Sequence, residues 1–524
     1  MDAKIFTLIF TAIFFAVMLI IGIRSKKHAQ DVAGFVLGSR SVGPWLSAFA
    51  FGTSYFSAVI FVGYAGQFGW NFGLASTWIG LGNAFIGSLL AWLILGRRTR
   101  IMTNHIGSKT MPDFFGARFN SNGLKIAASV ITFLFLIPYT ASLYNGLSRL
   151  FGMVFPGINY AYCVIIMAAL TGAYVIIGGY MATALNDFIQ GMLMLGGIVA
   201  VILAVLLSNG GLMKSTELLA TNEVTGGWEY ASFFGPDPIF LLFVVLLTSL
   251  GTWGLPQMVG KFYAIKNEDA VKKGTVISTL FAIIVAGGCY FLGGFGRLFN
   301  IPLNEAGVPK DGFDAIIPTM LSGLSPVIIG IVIVLVLSAS MSTLSSLVLT
   351  SSSTITLDFI VPMRKKPMQE KSKMLMMRLF IVAFVAISAM IAIMQAKSKN
   401  IYIAQLMGVS WGALAGAFLA PFLYGLYSKK ITKPAVIVSF IWGVGLELVQ
   451  LFVSLGMLDV SGSALLAFVF KNSLYSGVFA MVGGLVLVPI VSLLTVKCIP
   501  ANVDEMFSCY DESKTVDITS NLGK

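Results

Sequence analysis

The stretch "PVIIGIVIVLVLSASMSTLSSLVLT" (residues 326–350) joins an apolar run of membrane-spanning length to a cluster of hydroxyl side chains. About 20 apolar residues suffice for a helix to cross the hydrocarbon core of a bilayer, so the stretch predicts a transmembrane helix. Six serines and threonines nevertheless fall within residues 338–346. Hydroxyls inside a helix can bond backbone carbonyls a turn earlier, but six of them together indicate that a polar species passes this helix.

The rest of the chain is also strongly apolar, with 57% hydrophobic and 11% charged residues and a mean hydropathy of +0.90 over 524 residues. Soluble domains carry about 25% charged residues, so most of this chain is expected to lie in a membrane. The first apolar run lacks the basic leader and cleavage site of a signal peptide, and we expect it to be retained. Thirteen spans are predicted, at residues 5–23, 44–70, 74–96, 124–153, 159–178, 187–208, 237–260, 273–297, 324–358, 377–395, 401–427, 434–457 and 471–496.

Lysine and arginine are distributed unevenly between alternate loops. With the amino terminus placed outside, 26 of the 34 basic residues fall on the inner side. This asymmetry is the positive-inside rule, and it predicts a multi-pass protein of the plasma (cytoplasmic) membrane with an outer amino terminus and a cytoplasmic carboxyl terminus. The net charge of +12 is therefore interpreted as a topology signal and not as a nucleic-acid-binding surface.

The residue types needed for common enzyme chemistry are scarce. The two histidines, His28 and His105, both lie in basic inner loops, and the four cysteines show no CxxC spacing. This disfavours histidine-based triads, zinc motifs and membrane histidine proton relays. Every water-facing segment is under thirty residues. We therefore expect no enzyme, no nucleic-acid partner and no obligate protein partner, and the apolar spans predict contact with the lipid bilayer.

Two predicted spans contain irregular segments. "GTSYFSA" (52–58) interrupts the second span, and "LLTSLGTWGLPQMVGKF" (246–262) lies five spans later. Irregular backbone at membrane depth survives only where it lines a cavity or is covered by protein, and transporters built on inverted repeats use such broken helices to bind ions. Close helix packing by small residues is the alternative. The predicted architecture is one transmembrane domain over 1–496, with an extra first helix at 5–23, inverted five-helix repeats at 44–208 and 237–427, two extra helices at 434–496, and a short cytoplasmic tail at 497–524.

On a helix, four of the hydroxyl residues in 338–346 form one stripe with Thr343 beside it. Hydroxyl oxygens and freed backbone carbonyls are ligands that Na⁺ accepts, so a Na⁺ site between this helix and the broken second span is predicted. Asp187 in "GGYMATALNDFIQG" (178–191) is a carboxylate at the edge of the core. Ionisable residues inside membranes are functional candidates, although Asp187 could instead cap span six.

The segments "FVLGSRSVGPWLSAFAFGTSYFSA" (35–58), "GGYMATALNDFIQG" and "LSASMSTLSS" resemble the sodium/solute symporter family, and most closely its sodium/proline symporters. The resemblance extends through "TMPDFFGARF" (110–119) and "LMGVSWGALAGAFLAPFLYGLYSKKIT" (406–432) and covers roughly residues 5–495. It implies Na⁺-driven uptake on an all-α, leucine-transporter-like fold.

The resemblance also implies specific sites. The main Na⁺ site would use the backbone carbonyls of Thr53, Phe56 and Ala339 and the hydroxyls of Ser342 and Thr343. Some family members hold a second Na⁺, which here would lie near Asp187, Ser345 and Ser346. Arg40 corresponds to a family arginine at the inner mouth, with an ordinary interfacial anchor as the alternative.

The substrate is less constrained. Tyr55 stands where proline symporters carry an aspartate, the segment around Tyr139 lacks the carboxylate-binding arginine of sialic-acid-type members, and no cationic side chain stands out near the predicted pocket. Glu447 is interpreted as structural or as a partner of Gln450. We expect the substrate to bind mid-membrane beside Trp78 and Tyr139. The predicted pocket residues are Ser54, Tyr55, Ser57, Trp78, Asn83, Tyr139, Thr248, Thr252, Trp253, Gln257 and Trp411.

Together these features predict a Na⁺-coupled symporter that imports a small organic solute, an amino acid such as proline or a small carboxylate, by alternating access. One alternative is a proton-coupled carrier of the same fold, which the single acidic core residue and the lack of membrane histidines disfavour. The other alternative is a non-transporting membrane sensor or receptor, which would normally carry an appended signalling domain.

Overall fold

The computed structural model describes residues 3–155, 157–222, 226–305, 307–395 and 403–511. The prediction of an all-helical polytopic membrane protein is confirmed: the described chain has ten helices long and apolar enough to cross a membrane, or eleven if the bent pair Pro238–Gly254 and Pro256–Tyr263 forms one span. Between the described residues, β-pairing is limited to isolated bridges, one of which joins Val42 to Ile265.

The count is lower than the thirteen predicted spans because two helical runs are very long. Val59–His105 covers 47 residues and Tyr160–Ser208 covers 49. Each contains a glycine at positive φ, Gly73 at 59° and Gly179 at 54°, where the chain changes direction. A backbone angle of this kind is easily reached only by glycine.

The α-helices are Ala3–Ser25, Val32–Leu37, Pro44–Tyr55, Ala65–Phe72, Thr77–Gly82, Arg97–His105, Met111–Arg118, Asn122–Val154, Tyr160–Ser208, Leu212–Thr221, Trp228–Ala231, Pro238–Leu250, Pro256–Tyr263, Glu268–Ala282, Gly288–Gly293, Ile316–Ser322, Pro326–Thr354, Val361–Met363, Glu370–Gln395, Ile403–Tyr427, Lys433–Ser454, Ala464–Val469 and Ser473–Leu494. The π-helical segments are Val59–Tyr64, Asn83–Leu90, Trp92–Gly96, Ile283–Gly287 and Ile355–Ile360, and the 3₁₀ turns are Lys26–His28, Gly38–Arg40, Gly73–Ser76, Gly251–Gly254, Gly296–Leu298, Phe313–Ala315 and Val496–Cys498. The π-helical segments were not predicted, and such segments occur frequently at functional sites.

The first broken helix consists of Pro44–Tyr55 and the helical run Val59–Phe72. It stops at Tyr55 because Phe56 adopts an extended conformation, with φ −88° and ψ 124°. The last carbonyls of a helix have no intrahelical partner. The break therefore leaves backbone oxygens available in the interior of the protein.

The second broken helix consists of Pro238–Gly254 and Pro256–Tyr263, which are bent by 47° relative to each other. Proline lacks an N–H donor and disfavours helical backbone in the preceding residue, so Pro256 accounts for the break. The residue before it, Leu255, is extended, with φ −88° and ψ 118°. Each break thus contains one residue, Phe56 or Leu255, in nearly the same extended backbone conformation.

The hydroxyl helix, Pro326–Thr354, lies at the centre of the bundle. Its most apolar window is 78% buried within the protein, against 22% for the first membrane helix and 33% for Lys433–Ser454. It packs against Tyr160–Ser208, Asn122–Val154 and the first broken helix. Its hydroxyl groups therefore face other protein groups and not lipid.

The basic loops meet one another at one end of the bundle, which we name the basic end. Ion pairs join Arg97 to Glu268 at 2.9 Å and Lys429 to Asp504 at 2.6 Å. At the other end the Arg297 guanidinium stacks on the Tyr230 ring, 3.6 Å from its centroid. The two ion pairs thus join segments that the charge pattern assigns to the same side of the membrane.

Candidate functional site

The hydroxyl helix and the first broken helix meet in a buried group of oxygen atoms. The Ser342 hydroxyl oxygen lies 3.1 Å from the Thr53 carbonyl oxygen. The Thr343 hydroxyl oxygen lies 3.3 Å from the carbonyl oxygens of both Thr53 and Phe56. Both hydroxyls also lie 3.1 Å from the Ala339 carbonyl oxygen, one turn earlier on their own helix. The structure thus brings the five oxygens of the predicted main Na⁺ site into one group, which we name the oxygen cluster.

Local sequence explains the oxygen cluster. The Thr53 side chain donates its hydroxyl to the Phe49 carbonyl within its own helix, at 2.8 Å. Its carbonyl oxygen faces the hydroxyl helix because Phe56 ends the helical ladder. The residues that supply these oxygens are buried, with at most 1% of their surface exposed. Buried hard oxygens without a charged side chain among them suit a monovalent cation.

The predicted second Na⁺ position contains a lysine. The Lys261 ammonium nitrogen lies 2.9 Å from the Ser346 hydroxyl oxygen and 3.5 Å from a carboxylate oxygen of Asp187. The two charged side chains are only 5% and 0% exposed. Lys261 therefore lies inside the second broken helix, although the predicted span 237–260 ended just before it. The alternative in which Asp187 caps span six is excluded, because Asp187 lies within Tyr160–Ser208 and pairs with this lysine.

Ser54 belongs to the same group, although it was predicted to bind substrate. Its hydroxyl oxygen lies 2.8 Å from that of Ser346. Ser345, predicted as a ligand of the second Na⁺, instead donates its hydroxyl to the Ser342 carbonyl on its own helix, at 2.9 Å. We name the group of Lys261, Asp187, Ser346 and Ser54 the lysine cluster.

Four predicted pocket residues come together beside the break. The Trp411 ring lies 6.0 Å from the Tyr55 ring and 5.9 Å from the Tyr139 ring, nearly perpendicular to the latter. The Tyr139 hydroxyl faces Ser57. We name Tyr55, Ser57, Tyr139 and Trp411 the aromatic set.

The polar atoms of the aromatic set are buried without a hydrogen bond of ordinary geometry to any described residue. A buried polar group that lacks a partner costs about 1–3 kcal/mol. A bound solute or water molecules that supply these partners would remove that cost. The aromatic set therefore has the character of a binding site with an apolar wall and a few polar groups.

Most of the remaining predicted pocket residues connect helices. The Asn83 side-chain oxygen accepts hydrogen bonds from Thr248 at 3.0 Å and Ser249 at 2.9 Å. The Trp253 indole donates to the Ile86 carbonyl at 3.0 Å. The Thr252 hydroxyl donates to the Ser249 carbonyl of its own segment at 2.8 Å and lies 3.4 Å from the Gly87 carbonyl of a neighbouring helix. Thr248 also faces the Tyr55 hydroxyl, so this polar contact borders the aromatic set.

Trp78 lies elsewhere than expected. Its indole donates a hydrogen bond to the Phe233 carbonyl at 2.9 Å, and the two rings pack edge to face at 4.8 Å. The ring is partly exposed and packs against the segment before Pro238. Trp78 thus contacts Phe233, whereas Tyr139 contacts Trp411 beside the break of the first broken helix.

Glu447 and Gln450 do not pair with each other. A Glu447 carboxylate oxygen accepts a hydrogen bond from Ser476 at 2.9 Å, and the Gln450 amide donates to Ser454 at 3.0 Å. Glu447 is buried between the last two membrane helices and the helix Ile403–Tyr427. It lies between these three helices, next to Gly412, and belongs to none of the three groups described above.

Arg40 is more than an interfacial anchor. Its guanidinium donates to the carbonyl oxygens of Tyr263 at 3.0 Å, Thr103 at 3.1 Å and Ser108 at 2.5 Å. Burial lowers the pKa of this guanidinium below its ordinary value. Arg40 thus ties the end of the second broken helix to the basic end of the bundle.

A family model described as "Sodium:solute symporter family" matches residues 35–443, well over half of the chain. The chain belongs to this family. Similar relatives include "Sodium/proline symporter 2" of Staphylococcus saprophyticus, 29% identical over 83% of this chain and 84% of the relative. Another is the "Osmoregulated proline transporter OpuE" of Bacillus subtilis, 28% identical over 86% of this chain and 89% of the relative.

Among solved structures, the chain is similar to a Na⁺-coupled sialic acid symporter in a substrate-bound, outward-open state. The TM-score is 0.73 at 16% identity, over 93% of this chain and 98% of that chain. At this identity the likeness shows the fold, which agrees with the expected leucine-transporter-like architecture. This member of the symporter family is therefore a multi-pass membrane transport protein and not an enzyme.

Sequence reasoning about this symporter missed one central residue, Lys261. It lies in "LPQMVGKFY" (255–263), where it is the one charge in an apolar segment after a helix-breaking proline. An ionisable residue within a membrane span is a functional candidate. That signal was present. Because the predicted span ended at residue 260, however, Lys261 was counted with the loop that follows it.

Proposed function

We propose that this symporter-family chain couples Na⁺ to the import of a small organic solute by alternating access. The observation that carries this proposal is the oxygen cluster, in which five buried oxygens from two helices converge at the break of the first broken helix. These oxygens come from two separate elements, so relative movement of the elements would assemble or dismantle the site. That property is what an exchangeable coupling ion requires.

Coupling between ion and solute follows from their shared backbone. The Phe56 carbonyl contributes to the oxygen cluster, while the side chains of Tyr55 and Ser57 belong to the aromatic set. A Na⁺ that fixes the Phe56 carbonyl also fixes its two neighbours in the chain. The ion and the solute then stabilise the same conformation, and each raises the affinity for the other.

The proposed architecture is a pair of inverted repeats over residues 44–208 and 237–427, within one domain over 1–496. The matching backbone at Phe56 and Leu255 supports it, since the breaks occupy corresponding positions five spans apart. Dividing the two long helices at Gly73 and Gly179 adds two spans to the eleven, which gives thirteen. Rocking of one repeat against the other would expose the sites alternately to the two sides.

The proposed solute is an amino acid such as proline, or a small carboxylate. The two similar relatives named above are proline transporters, which supports this class. The aromatic set offers apolar rings and a few hydroxyl and indole groups, which fit a compact solute. A solute carboxylate would be held by the bound Na⁺ or by the amino end of the helical segment that restarts at Val59, because helix amino termini attract anions.

The proposed orientation places the basic end in the cytoplasm, because basic loops are retained there. A cysteine introduced at Lys310, on the opposite end, should react with an impermeant reagent added outside intact cells, while one at Lys365 should not. Outside labelling at residue 365 would reverse the orientation.

The function is tested by uptake into proteoliposomes that contain only the purified protein. Proline, other amino acids and small carboxylates are supplied as a panel, with an inward Na⁺ gradient, with K⁺ in its place, or with a pH gradient alone. We expect accumulation of one class of solute with the Na⁺ gradient only. Accumulation driven by the pH gradient without Na⁺ would contradict the proposal.

A further inference from the structure

We infer that the Lys261 ammonium permanently fills the second cation position, so that each transport cycle of this chain uses a single Na⁺. The inference rests on the proposed function, and it adds a stoichiometry and a residue that sets it. It follows from the lysine cluster, where the Lys261 ammonium contacts Ser346 and Asp187, which a second Na⁺ would need as ligands.

The ammonium has one close hydrogen-bond acceptor, a longer contact with a carboxylate and an aromatic ring beside it. A lysine ammonium has three donors and no acceptor. Here it faces the Ser346 hydroxyl at 2.9 Å, the Asp187 carboxylate at 3.5 Å and the Tyr180 ring, whose centroid lies 5.3 Å away. A cation over an aromatic face is attracted to the ring electrons. The position is therefore built around this lysine.

Charge balance gives the same answer. Asp187 is fully buried, and a buried carboxylate requires a cationic or hydrogen-bonding partner. Lys261 supplies that charge, so the lysine cluster is neutral overall. A second Na⁺ would add an uncompensated positive charge to a buried region and would have to displace the ammonium from Ser346.

The ammonium is connected to the oxygen cluster by two serines. Ser346 contacts Lys261 at 2.9 Å and Ser54 at 2.8 Å, and the Ser54 carbonyl lies 3.5 Å from the Thr343 hydroxyl. The fixed charge thus lies close to the exchangeable ion without sharing its ligands. One position therefore holds an exchangeable cation, and the other holds the permanent charge of Lys261.

The same geometry argues against direct binding of the solute by Lys261. The cavity that Lys261 lines with Gln257 and Ser346 has a volume of about 40 Å³. A cavity needs about 10–15 Å³ to hold one water molecule, so this one holds a few waters and no amino acid. It extends toward Lys109 and Thr110 at the basic end, away from the aromatic set.

The test is equilibrium binding of radioactive ²²Na⁺ to the purified protein in the absence of any solute. We expect one Na⁺ per chain and a Hill coefficient of 1. Two Na⁺ per chain would overturn the inference and leave the proposed function intact. No saturable Na⁺ binding would overturn the proposed function, and the inference with it.

A variant then tests the role of the lysine itself. Lys261→Gln leaves the Asp187 carboxylate without a compensating charge and keeps the hydroxyls of Ser346 and Ser54 nearby. We expect this variant to bind two Na⁺ per chain with a Hill coefficient above 1. Lys261→Arg, which keeps the charge, and Lys266→Gln, which removes an exposed charge nearby, should both bind one. A folded, monodisperse Lys261→Gln protein that still binds one Na⁺ would overturn the inference. If this variant does not fold, the count for the unmodified protein decides.

Discussion

The oxygen cluster and the lysine cluster lie one turn apart on the hydroxyl helix, yet the hydroxyls of the two clusters have different kinds of partner. In the oxygen cluster, Ser342 and Thr343 face neutral carbonyl oxygens from another helix. In the lysine cluster, Ser346 faces a charged side chain that is neutralised by Asp187. An ion held by neutral oxygens can leave when the helices separate, whereas a lysine is covalently attached. Under the proposed function, the oxygen cluster would hold a cation that is transported and the lysine cluster one that stays.

The two broken helices also differ in the groups they present, neutral oxygens in one and a charged side chain in the other. Their backbones at Phe56 and Leu255 are nonetheless nearly identical. The first break presents carbonyl oxygens to the hydroxyl helix. The second break is followed by a short helix, Pro256–Tyr263, whose Lys261 side chain contacts Ser346 of the hydroxyl helix. Similar backbone geometry therefore presents carbonyl oxygens at one break and is followed by a fixed lysine charge at the other.

The largest expected effect is on the ion pair. Asp187→Asn leaves Lys261 charged and buried without its partner, and removal of one member of a buried ion pair costs about 3–5 kcal/mol. We expect a marked loss of folded protein and of thermal stability, measured by size-exclusion chromatography after heating. The double variant Asp187→Asn with Lys261→Met removes both charges and should recover most of the stability. Equal stability of the single and double variants would show that the two residues are not paired.

A smaller effect is expected at the aromatic set. Tyr139→Phe removes one hydroxyl group, and a hydrogen bond contributes about 0.5–1.5 kcal/mol. The KM for the solute should rise about two- to tenfold, since 1.4 kcal/mol corresponds to a factor of ten. Trp78→Phe is the matched control and should leave the KM unchanged, because Trp78 packs against Phe233. The reverse pattern would place the solute beside Trp78.

The smallest effect is expected at Glu447, a second buried carboxyl group, which lies outside the three groups. Its described side-chain partner is Ser476, with no lysine or arginine recorded beside it in the described chain. Glu447→Gln keeps the shape and an oxygen that accepts the serine hydrogen bond. The Na⁺ concentration for half-maximal uptake should change by less than twofold. A large shift would mean that a third group participates in coupling.

Much of this arrangement could be predicted from the sequence because helical periodicity and breaks in apolar runs are local signals. The stripe of hydroxyls that includes Ser342 and Thr343, and the break at "GTSYFSA", were both visible in this way. Lys261 was misassigned because a charge beside a predicted span boundary has the same local pattern whether it faces water or the core. The packing of Trp78 against Phe233 could not be predicted for a related reason. An aromatic residue in a membrane helix packs equally well against a pocket or a neighbouring segment, and tertiary contacts decide between them.

The measurement that tests the central claim most directly is the Na⁺ dependence of initial uptake in proteoliposomes for Thr343→Ala. The variant removes one of five oxygens without disturbing the helix, because alanine is a good helix former. A hydrogen bond to a charged group contributes about 1.5–3 kcal/mol, so half-maximal uptake should require about ten- to a hundredfold more Na⁺. Thr343→Ser keeps the oxygen, and Ser340→Ala removes a hydroxyl that donates to the Val336 carbonyl within its own helix, so both should behave like the unmodified protein. An unchanged Na⁺ dependence for Thr343→Ala at normal expression would contradict the account and place the Na⁺ site elsewhere.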